Sequence, residues 1–259
     1  MYDSIKLFEI ISEDVSINQI ESDIYSVYST GDSPGVYDRA GASTIYDAVA
    51  CNRFYNLVMW GYSIKDYAKL CKAMLISSSK GWVLDLACGS LAFTAEIYAN
   101  CLNRPIVFLD QSLKLLRKGK LRVEKLKGKI PENMFFLHAD ALQLPFKANI
   151  FNTIISFNLL HCIDDIKAVL KEAKRVLTND GNAAFTTLVQ SNRWSNRYLS
   201  MLAGSGALIS RSFDEVLSVF NDIEMKVTHE IKGNLVFVKY GRINWRESPT
   251  MHRNANIRL

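Results

Sequence analysis

The stretch VLDLACGSLAFT, residues 83–94, decides the fold of this chain. It begins as a short apolar run, continues into a turn of small residues, and leads into helical spacing over residues 91–102. A turn of small residues after a strand lets the backbone approach a ligand closely. The pattern predicts a strand, a ligand-binding turn and a helix in succession.

Further apolar runs follow this stretch, and amphipathic segments separate them. The runs are PIVFLD (105–110), MFFLHAD (134–140), FNTIISFNLL (151–160) and NAAFTTLV (182–189), with helical patterns at 111–129 and 165–177. The first four runs, counted from WVLDLA (82–87), are apolar on both faces, as in a parallel sheet covered by helices. Two last runs, 223–231 and 234–240, are separated by Lys232 and Gly233 and predict a hairpin. Asp164 and Asp165 are placed to cap the helix at 165–177, and Ser212 with Glu215 is a capping box that predicts a further helix.

Strand–helix alternation of this kind predicts an α/β fold with a doubly wound, Rossmann-like sheet. We expect seven strands, mostly parallel, with a C-terminal antiparallel hairpin and a helical N-terminal lid. Residues 1–75 are predicted to form an irregular acidic arm (1–40) and the lid, and 76–241 the ligand-binding domain with a lid insert at 190–212. Residues 242–259 form a basic tail.

The bulk composition excludes several classes of protein. The formal net charge of +5 over 259 residues is modest and part of it lies in the tail, so nucleic acid is not expected as a partner. Five scattered cysteines without metal-ligand spacing predict reduced thiols, a cytoplasmic location and no metal site. The acids within the apolar N-terminal stretch argue against a signal peptide, and no apolar run is long enough for a membrane span. The sequence leaves a homodimer open.

Three acids stand at the ends of successive strands, where open α/β sheets bind their ligands. Asp85 is placed to accept a hydrogen bond from a ligand ammonium. Asp110 lies about 20 residues past the turn, where an acid accepts both hydroxyls of a ribose in dinucleotide folds. Asp140 is placed to accept from an exocyclic amine. Each acid alone also has a structural interpretation: a buried acid that serves its own turn at Asp85, or a helix N-cap at Asp110.

Residues 45–240 resemble class I methyltransferases that use S-adenosylmethionine (SAM), above all the small-molecule group of ubiquinone and menaquinone biosynthesis. The resemblance rests on VLDLACGS, IVFLDQS, HADALQLPFKANIFNTIISFNLLHCIDD and LKEAKRVLTNDGNAAF, which follow one another in the family's order. It implies that SAM is the cofactor. It does not identify the acceptor.

The resemblance also implies a role for individual residues. The turn residues Asp85, Ala87, Cys88 and Gly89 would hold the methionine part of SAM, Asp110 the ribose, and Gln111, Asp140 and Ala141 the adenine. Asn158 and His161 would face the sulfonium and the acceptor, and an aromatic residue, Tyr46 or Tyr55, would cover the ligand. Among these we assign His161 and Tyr46 to catalysis, and Asn158 and Tyr55 to cofactor binding. For His161 two interpretations stay open: a general base, since histidine titrates near neutral pH, or a residue packed under the strand end.

The chain departs from the family pattern in the turn itself. The family usually has glycine where this chain has Ala87 and Leu91. Leucine in place of the last glycine is expected to crowd the turn or to force a different φ.

The predicted function is transfer of the SAM methyl group to a small-molecule acceptor on oxygen, nitrogen or carbon. The protein would contribute mainly by aligning the acceptor with the S–CH3 bond. One alternative is a catalytically silent scaffold subunit of the same fold, which Leu91 favours. Another is an RNA or protein methyltransferase, which would need a basic groove or an added recognition domain.

Overall fold

The computed structural model describes residues 5–28, 52–77, 81–191, 195–206 and 208–241. In chain order the elements are α1 (Ile5–Ile10), β1 (Asn18–Glu21), β2 (Ile24–Ser26), α2 (Arg53–Tyr55), a π-helical turn (Asn56–Trp60), α3 (Lys65–Ser77), β3 (Trp82–Leu86), α4 (Ala95–Ala99), β4 (Ile106–Asp110), α5 (Leu113–Lys127), β5 (Met134–His138), β6 (Phe151–Phe157), α6 (Ile166–Val176), β7 (Leu177–Leu188), α7 (Ser195–Gly204), α8 (Phe213–Asp222), β8 (Val227–Lys232) and β9 (Leu235–Tyr240).

These strands form one sheet in the order β1-β2-β5-β4-β3-β6-β7-β9-β8. The six strands from β2 to β7 in this order run parallel, and β1, β9 and β8 pair antiparallel with their neighbours. The chain leaves β3 toward β4 on one side and returns to β6 on the other. Strand order therefore reverses at β3, and the carboxyl ends of β3 and β6 flank the crevice where such sheets bind ligands.

The predicted mostly parallel, doubly wound sheet with a closing hairpin is confirmed, but the strand count of seven is wrong. All seven predicted strands are present, and β1 and β2 add two more at one edge. Residues 1–40 were predicted to be an irregular arm, which is incorrect for residues 5–28. In that segment Ile24 is fully buried, and its strand pairs parallel with β5. The acidic, turn-rich composition hid strands that are only four and three residues long.

Side chains alternate between the two faces of the sheet, and each face carries its own apolar core. In β3, for example, Leu84 and Leu86 pack into the core beneath α6 and α8, whereas Val83 packs into the core beneath α3, α4 and α5. Helices thus cover both faces, as the apolar parallel strands require.

Three helices begin at the residues that local capping chemistry favours. Ser112 accepts a hydrogen bond from the Leu115 amide and opens α5, and Asp165 accepts from Ala168 and opens α6. Ser212 forms a complete capping box with Glu215 and opens α8. The caps at Asp165 and Ser212 confirm the predicted helix starts.

The described part of the predicted helical lid consists of α2, the π-helical turn and α3. Gly61, at φ 75°, separates the turn from α3. The β8–β9 hairpin docks on this break, where the Asn234 amide donates to the Trp60 carbonyl at 2.9 Å. A Cβ on Gly233 would lie 1.9 Å from that carbonyl oxygen, so only glycine allows the approach. The remainder of the predicted lid helix, residues 41–51, lies outside the described residues.

Within the described ranges, no helix is long and apolar enough to cross a membrane. Those same residues hold no group of three or more histidine, cysteine or acidic side chains arranged to bind a metal ion. In the described part of the chain, Cys71, Cys88, Cys101 and Cys162 form no disulfide bond.

Candidate functional site

A small cavity opens at the carboxyl ends of β3 and β6, where the sheet reverses its strand order. Its lining consists of Asp85, the turn from Ala87 to Thr94, and Phe157 and Asn158 after β6. The volume is about 30 Å³, enough for a few water-sized groups at most. A larger ligand would therefore extend from this cavity into the crevice.

The turn after β3 has a backbone that glycine favours, although two of its residues are not glycine. Ala87, Gly89 and Leu91 all have positive φ, at 57°, 57° and 54°. Left-handed backbone costs about 1–2 kcal/mol for a residue with a Cβ. The chain thus keeps the turn conformation at both positions where the resembling family usually has glycine, and tolerates the strain.

Space for the Leu91 side chain comes from α5. Leu91 is buried, and a Cβ on Gly119 would lie 3.2 Å from Leu91 Cγ and 3.4 Å from the Gly89 carbonyl oxygen. A glycine in the middle of a helix is unfavourable by about 1 kcal/mol relative to alanine. Gly119 therefore makes room for a leucine that was expected to crowd the turn.

Asp110, at the end of β4, connects the turn to the next loop. One carboxylate oxygen accepts from the Gly89 amide at 2.7 Å, and the other accepts from the Ser112 amide at 2.8 Å. Asp110 does not cap α5; the Ser112 hydroxyl does. Its carboxylate is 8% exposed, and although it contacts the turn it does not line the cavity itself.

Asp85 lies deeper, beneath the turn and on the face of α3 and α4. It is 2% exposed, and burial raises the pKa of its carboxyl to about 7, with a further increase from the Asp110 charge. The hydroxyl of Tyr98 is close enough to lower that pKa, although its position falls outside the limits of a regular hydrogen bond. A cation placed in the cavity would favour the ionised carboxylate.

Cys88, between these acids, is a protonated thiol. Burial raises its pKa, and the charges of Asp110 and Asp85 raise it further. Its backbone amide donates to the Leu109 carbonyl at 3.0 Å and ties the turn to β4.

The loop after β5 is joined to the loop after β4 through a backbone hydrogen bond. The Ala139 amide donates to the Asp110 carbonyl at 3.2 Å, so the loops after β4 and β5 are neighbours. Asp140 is partly buried, and its Oδ1 accepts from the Leu142 amide at 2.9 Å. Gln111, in the loop after β4, is exposed, and Ala141, in the loop after β5, is buried. These residues adjoin the crevice but do not line the cavity itself.

Asn158 lines the cavity and is held by a residue that the sequence did not single out. Its Nδ2 donates to the Tyr67 hydroxyl at 2.9 Å, and its own backbone amide donates to the Thr186 carbonyl at 2.9 Å. Tyr67, fully buried on α3, stacks on Phe93 with ring centroids 4.9 Å apart. The sequence showed Tyr67 only as one of several aromatic residues in a helical segment.

The general-base role predicted for His161 is not supported. Its Nδ1 accepts from the Leu188 amide at 3.2 Å, so the proton of the neutral ring is on Nε2 and the ring has no free lone pair. Burial lowers its pKa to about 4, and the positive charge of Arg211 lowers it further. His161 instead packs beneath the loop after β6, with Thr187 Oγ1 3.2 Å from Nδ1.

Tyr55 belongs to an aromatic cluster between the lid and α7. Its hydroxyl donates to the Tyr198 hydroxyl at 3.0 Å, and Trp60 packs against both rings. Burial raises the pKa of Tyr55, so its hydroxyl stays protonated. Tyr55 does not line the cavity. Tyr46, the other aromatic residue predicted to cover the ligand, lies outside the described residues.

The strand order, the positive-φ turn after β3 and the acid at the end of β4 together define the class I methyltransferase fold. In agreement, residues 83–181 match the family described as "Methyltransferase domain". The matched segment runs from β3 into β7 and contains every loop of the crevice. Residues 83–181 are therefore a class I, SAM-type methyltransferase domain, as the sequence motifs predicted.

Individual relatives match a stretch of similar length. An uncharacterised protein of Methanocaldococcus jannaschii, MJ0638, is 35% identical over 99 residues, which are 38% of this chain and 37% of that protein. The demethylmenaquinone methyltransferase of Bacillus cereus (strain B4264) is 37% identical over 101 residues, 38% of this chain and 40% of that enzyme. The matches thus span about two fifths of the length of these curated relatives.

Solved structures extend the likeness of the fold beyond this segment. The geranyl diphosphate C-methyltransferase of Streptomyces coelicolor A3(2), in complex with Mg2+, geranyl diphosphate and S-adenosyl-L-homocysteine, superposes with a TM-score of 0.56 at 12% identity. The superposition covers 68% of this chain and 79% of that one. At this identity the likeness concerns the fold alone.

Proposed function

We propose that this protein binds SAM in the crevice at the carboxyl ends of β3, β4 and β5, and transfers its methyl group to a small-molecule acceptor. The observation that carries the proposal is the hydrogen bond between the Gly89 amide and Asp110, which joins the glycine turn to the strand-end acid. Asp85 lies close enough to Asp110 for its pKa to be raised by that charge. The two carboxylates therefore flank one turn rather than separate regions.

The residues fit the parts of the cofactor. Asp85, buried and without a basic partner among the groups that shift its pKa, matches the ammonium of the methionine part. Asp110, at the end of β4 and joined to the turn through Gly89, matches the ribose hydroxyls by its position. Gln111 and Ala141, from adjoining loops, match the two sides of the adenine. SAM supplies a methyl group activated by its sulfonium.

The protein's contribution would be positioning and exclusion of water. Phe93, Tyr67 and Phe157 form an apolar wall beside Asn158, where the sulfonium would lie. A low-dielectric wall of this kind keeps water from the reacting methyl group. We assign no general base, because His161 Nδ1 already accepts from the Leu188 amide and Asp85 is assigned to the ligand ammonium.

The small-molecule acceptor is supported by the likeness to the demethylmenaquinone methyltransferase, which is 37% identical over 101 residues. Cytoplasmic location and homodimer formation remain predictions from the sequence.

Titration calorimetry of the full chain with SAM and with S-adenosylhomocysteine tests the proposal. We expect one site per chain for both ligands, and loss of both in Asp110→Ala. Methyl transfer from radiolabelled SAM to a panel of quinols, phenols and amines then tests the acceptor class, beside bulk RNA and protein. Absence of binding would instead favour the silent scaffold, and transfer to RNA or protein alone would reject the small-molecule acceptor.

A further inference from the structure

The N-terminal hairpin reaches the carboxyl edge of the sheet beside the proposed cofactor crevice. Across the edge, Asp110 of β4 pairs with His138 of β5, and His138 pairs with Ser26 of β2. Side chains that pair directly in adjacent parallel strands point to the same face. Asp110, His138 and Ser26 therefore form one row, from the proposed ribose site outward to the added strand.

His138 is fixed between the loop after β4 and this added strand. Its Nε2 donates to the Gln111 carbonyl at 3.0 Å, and its Nδ1 lies 3.2 Å from the Ser26 hydroxyl. The ring is 7% exposed. A ring held on both nitrogens keeps one orientation, so the surface that it offers is rigid.

The chain leaving β2 places Tyr28 against this ring. The ring centroids of Tyr28 and His138 lie 4.7 Å apart with an interplanar angle of 60°. The backbone around Tyr28 is fixed as well: the Val27 amide donates to the His138 carbonyl at 3.2 Å, and the Tyr28 amide donates to Ser26 Oγ at 3.0 Å. Tyr28 is half-buried and continues the row toward solvent.

We propose that Tyr28, supported by His138, forms an aromatic wall for the adenine of the cofactor. The inference rests on the proposed function, which places adenine beside Gln111, the residue whose carbonyl holds His138. Stacking of an aromatic side chain on a base contributes substantially to the affinity of a protein for the ligand that carries the base. The N-terminal hairpin, outside the matched segment 83–181, then supplies part of the cofactor site.

Titration calorimetry of the full chain with two ligands tests whether Tyr28 contacts the adenine. The ligands are S-adenosylhomocysteine and 5′-methylthioadenosine, which share adenine and ribose, while only the first carries the amino acid. We expect Tyr28→Ala to weaken both ligands by the same factor, about tenfold. Tyr28→Phe, which keeps the ring, should stay within about twofold of the unchanged protein.

Phe8→Ala is the matched control, because Phe8 is an N-terminal aromatic residue that is 48% exposed and packs on Tyr25. Thermal melting confirms that each variant is folded, and Tyr28→Leu, which also lacks a ring, replaces Tyr28→Ala if that variant melts below the assay temperature. If the variant without the ring keeps its affinity for both ligands, or loses affinity for S-adenosylhomocysteine alone, the proposed contact between Tyr28 and adenine is wrong. Failure of the unchanged protein to bind S-adenosylhomocysteine would refute the proposed function instead.

Discussion

The backbone amide of Gly89 donates a hydrogen bond of 2.7 Å to the carboxylate of Asp110, 21 residues further along the chain. This contact joins the ends of two strands. The same carboxylate also fixes the start of α5 through the Ser112 amide. Asp110 therefore stabilises the turn and the start of α5, and under the proposed function it would also bind the ribose.

Asp110→Asn is expected to lower both the stability of the protein and its affinity for the cofactor. Its Nδ2 cannot accept from a backbone amide, so either Gly89 or Ser112 loses its partner, and hydrogen bonds to charged groups contribute about 1.5–3 kcal/mol each. We predict an affinity for S-adenosylhomocysteine lower by about 10- to 100-fold, and a free energy of unfolding lower by about 1–3 kcal/mol. Calorimetry and urea denaturation measure the two effects.

Asp140→Asn is the matched control for this substitution. Asparagine retains the Oδ1 that accepts from the Leu142 amide, so the turn after β5 keeps its hydrogen bond. We expect stability within about 0.5 kcal/mol of the unchanged protein. Equal losses of stability in both variants would contradict the claim that Asp110 stabilises the fold through the Gly89 and Ser112 amides.

The contact between Leu91 and Gly119 predicts a second, paired effect. In Gly119→Ala the new Cβ would lie 3.2 Å from Leu91 Cγ, and the turn would have to shift. Alanine in a helix normally adds about 1 kcal/mol of stability. We expect the crowding to outweigh that gain, because Leu91 is buried and already at positive φ. Affinity for S-adenosylhomocysteine should fall about tenfold, as measured by calorimetry.

A double variant separates crowding from other causes. Leu91→Gly removes the side chain that the new Cβ meets and suits a φ of 54°. Leu91→Gly with Gly119→Ala should therefore recover the affinity lost in Gly119→Ala alone. If the double variant binds no better than Gly119→Ala, crowding at this contact is not the cause.

Tyr67→Phe tests the support of Asn158. The substitution removes the hydroxyl that accepts from Asn158 Nδ2 and leaves the ring that stacks on Phe93. Loss of one buried hydrogen bond costs about 1–3 kcal/mol. We expect a lower melting temperature and, if Asn158 faces the sulfonium, a lower kcat with a smaller change in the KM for SAM. A melting temperature equal to that of the unchanged protein would show that the contact contributes nothing.

The sequence predicted the elements whose signals are local. The apolar runs from β3 to β7 are long enough to read, and Ser212 with Glu215 marks a helix start by side-chain chemistry that spans only four residues. The order of motifs after β3 likewise predicted the methyltransferase domain. What these signals share is that each depends on residues close together in the chain.

The features that the sequence missed depend on contacts between distant segments. Strand β2 is three residues long and is stabilised by pairing with β5, more than 100 residues away. The role of Gly119 follows from its distance to Leu91, and that of Tyr67 from its contact with Asn158. His161 suggested a base because histidine titrates near neutral pH, but the Leu188 amide and burial determine its state.

The buried carboxyl of Asp85 predicts a pH dependence in the free protein. Its pKa is raised from 3.8 to about 7 on folding, so between pH 4 and 7 the unfolded chain loses this proton and the folded protein keeps it. Stability relative to Asp85→Asn, which does not titrate, should therefore decrease as pH rises through this range and level off above pH 7. Urea denaturation at pH 4.5, 6 and 8 measures the difference. A constant difference would contradict the raised pKa.

Cofactor binding should show the opposite trend on the acidic side. The ligand ammonium needs the ionised carboxylate, so affinity for S-adenosylhomocysteine should rise by up to tenfold per pH unit below pH 7. The amine of this ligand belongs to a free amino acid, whose own carboxylate holds its pKa above that of a peptide amino terminus, so it stays protonated while Asp85 ionises. Calorimetry across pH 5.5–9 should show affinity rising up to about pH 7 and levelling off above it. Asp85→Asn should bind more weakly and lack the acidic limb.

Tyr98→Phe should move the acidic limb without abolishing it. The Tyr98 hydroxyl lowers the pKa of Asp85, against the increases from burial and from Asp110. Cys71 and Cys88 also face this carboxyl, but both thiols have raised pKa values and stay neutral over the range tested. Removing the hydroxyl therefore raises the pKa of Asp85, and affinity near pH 7 falls while affinity at pH 9 is preserved. An equal loss at both pH values would mean that Tyr98 acts only by packing, because a change in ionisation alone cannot weaken binding where Asp85 is already ionised.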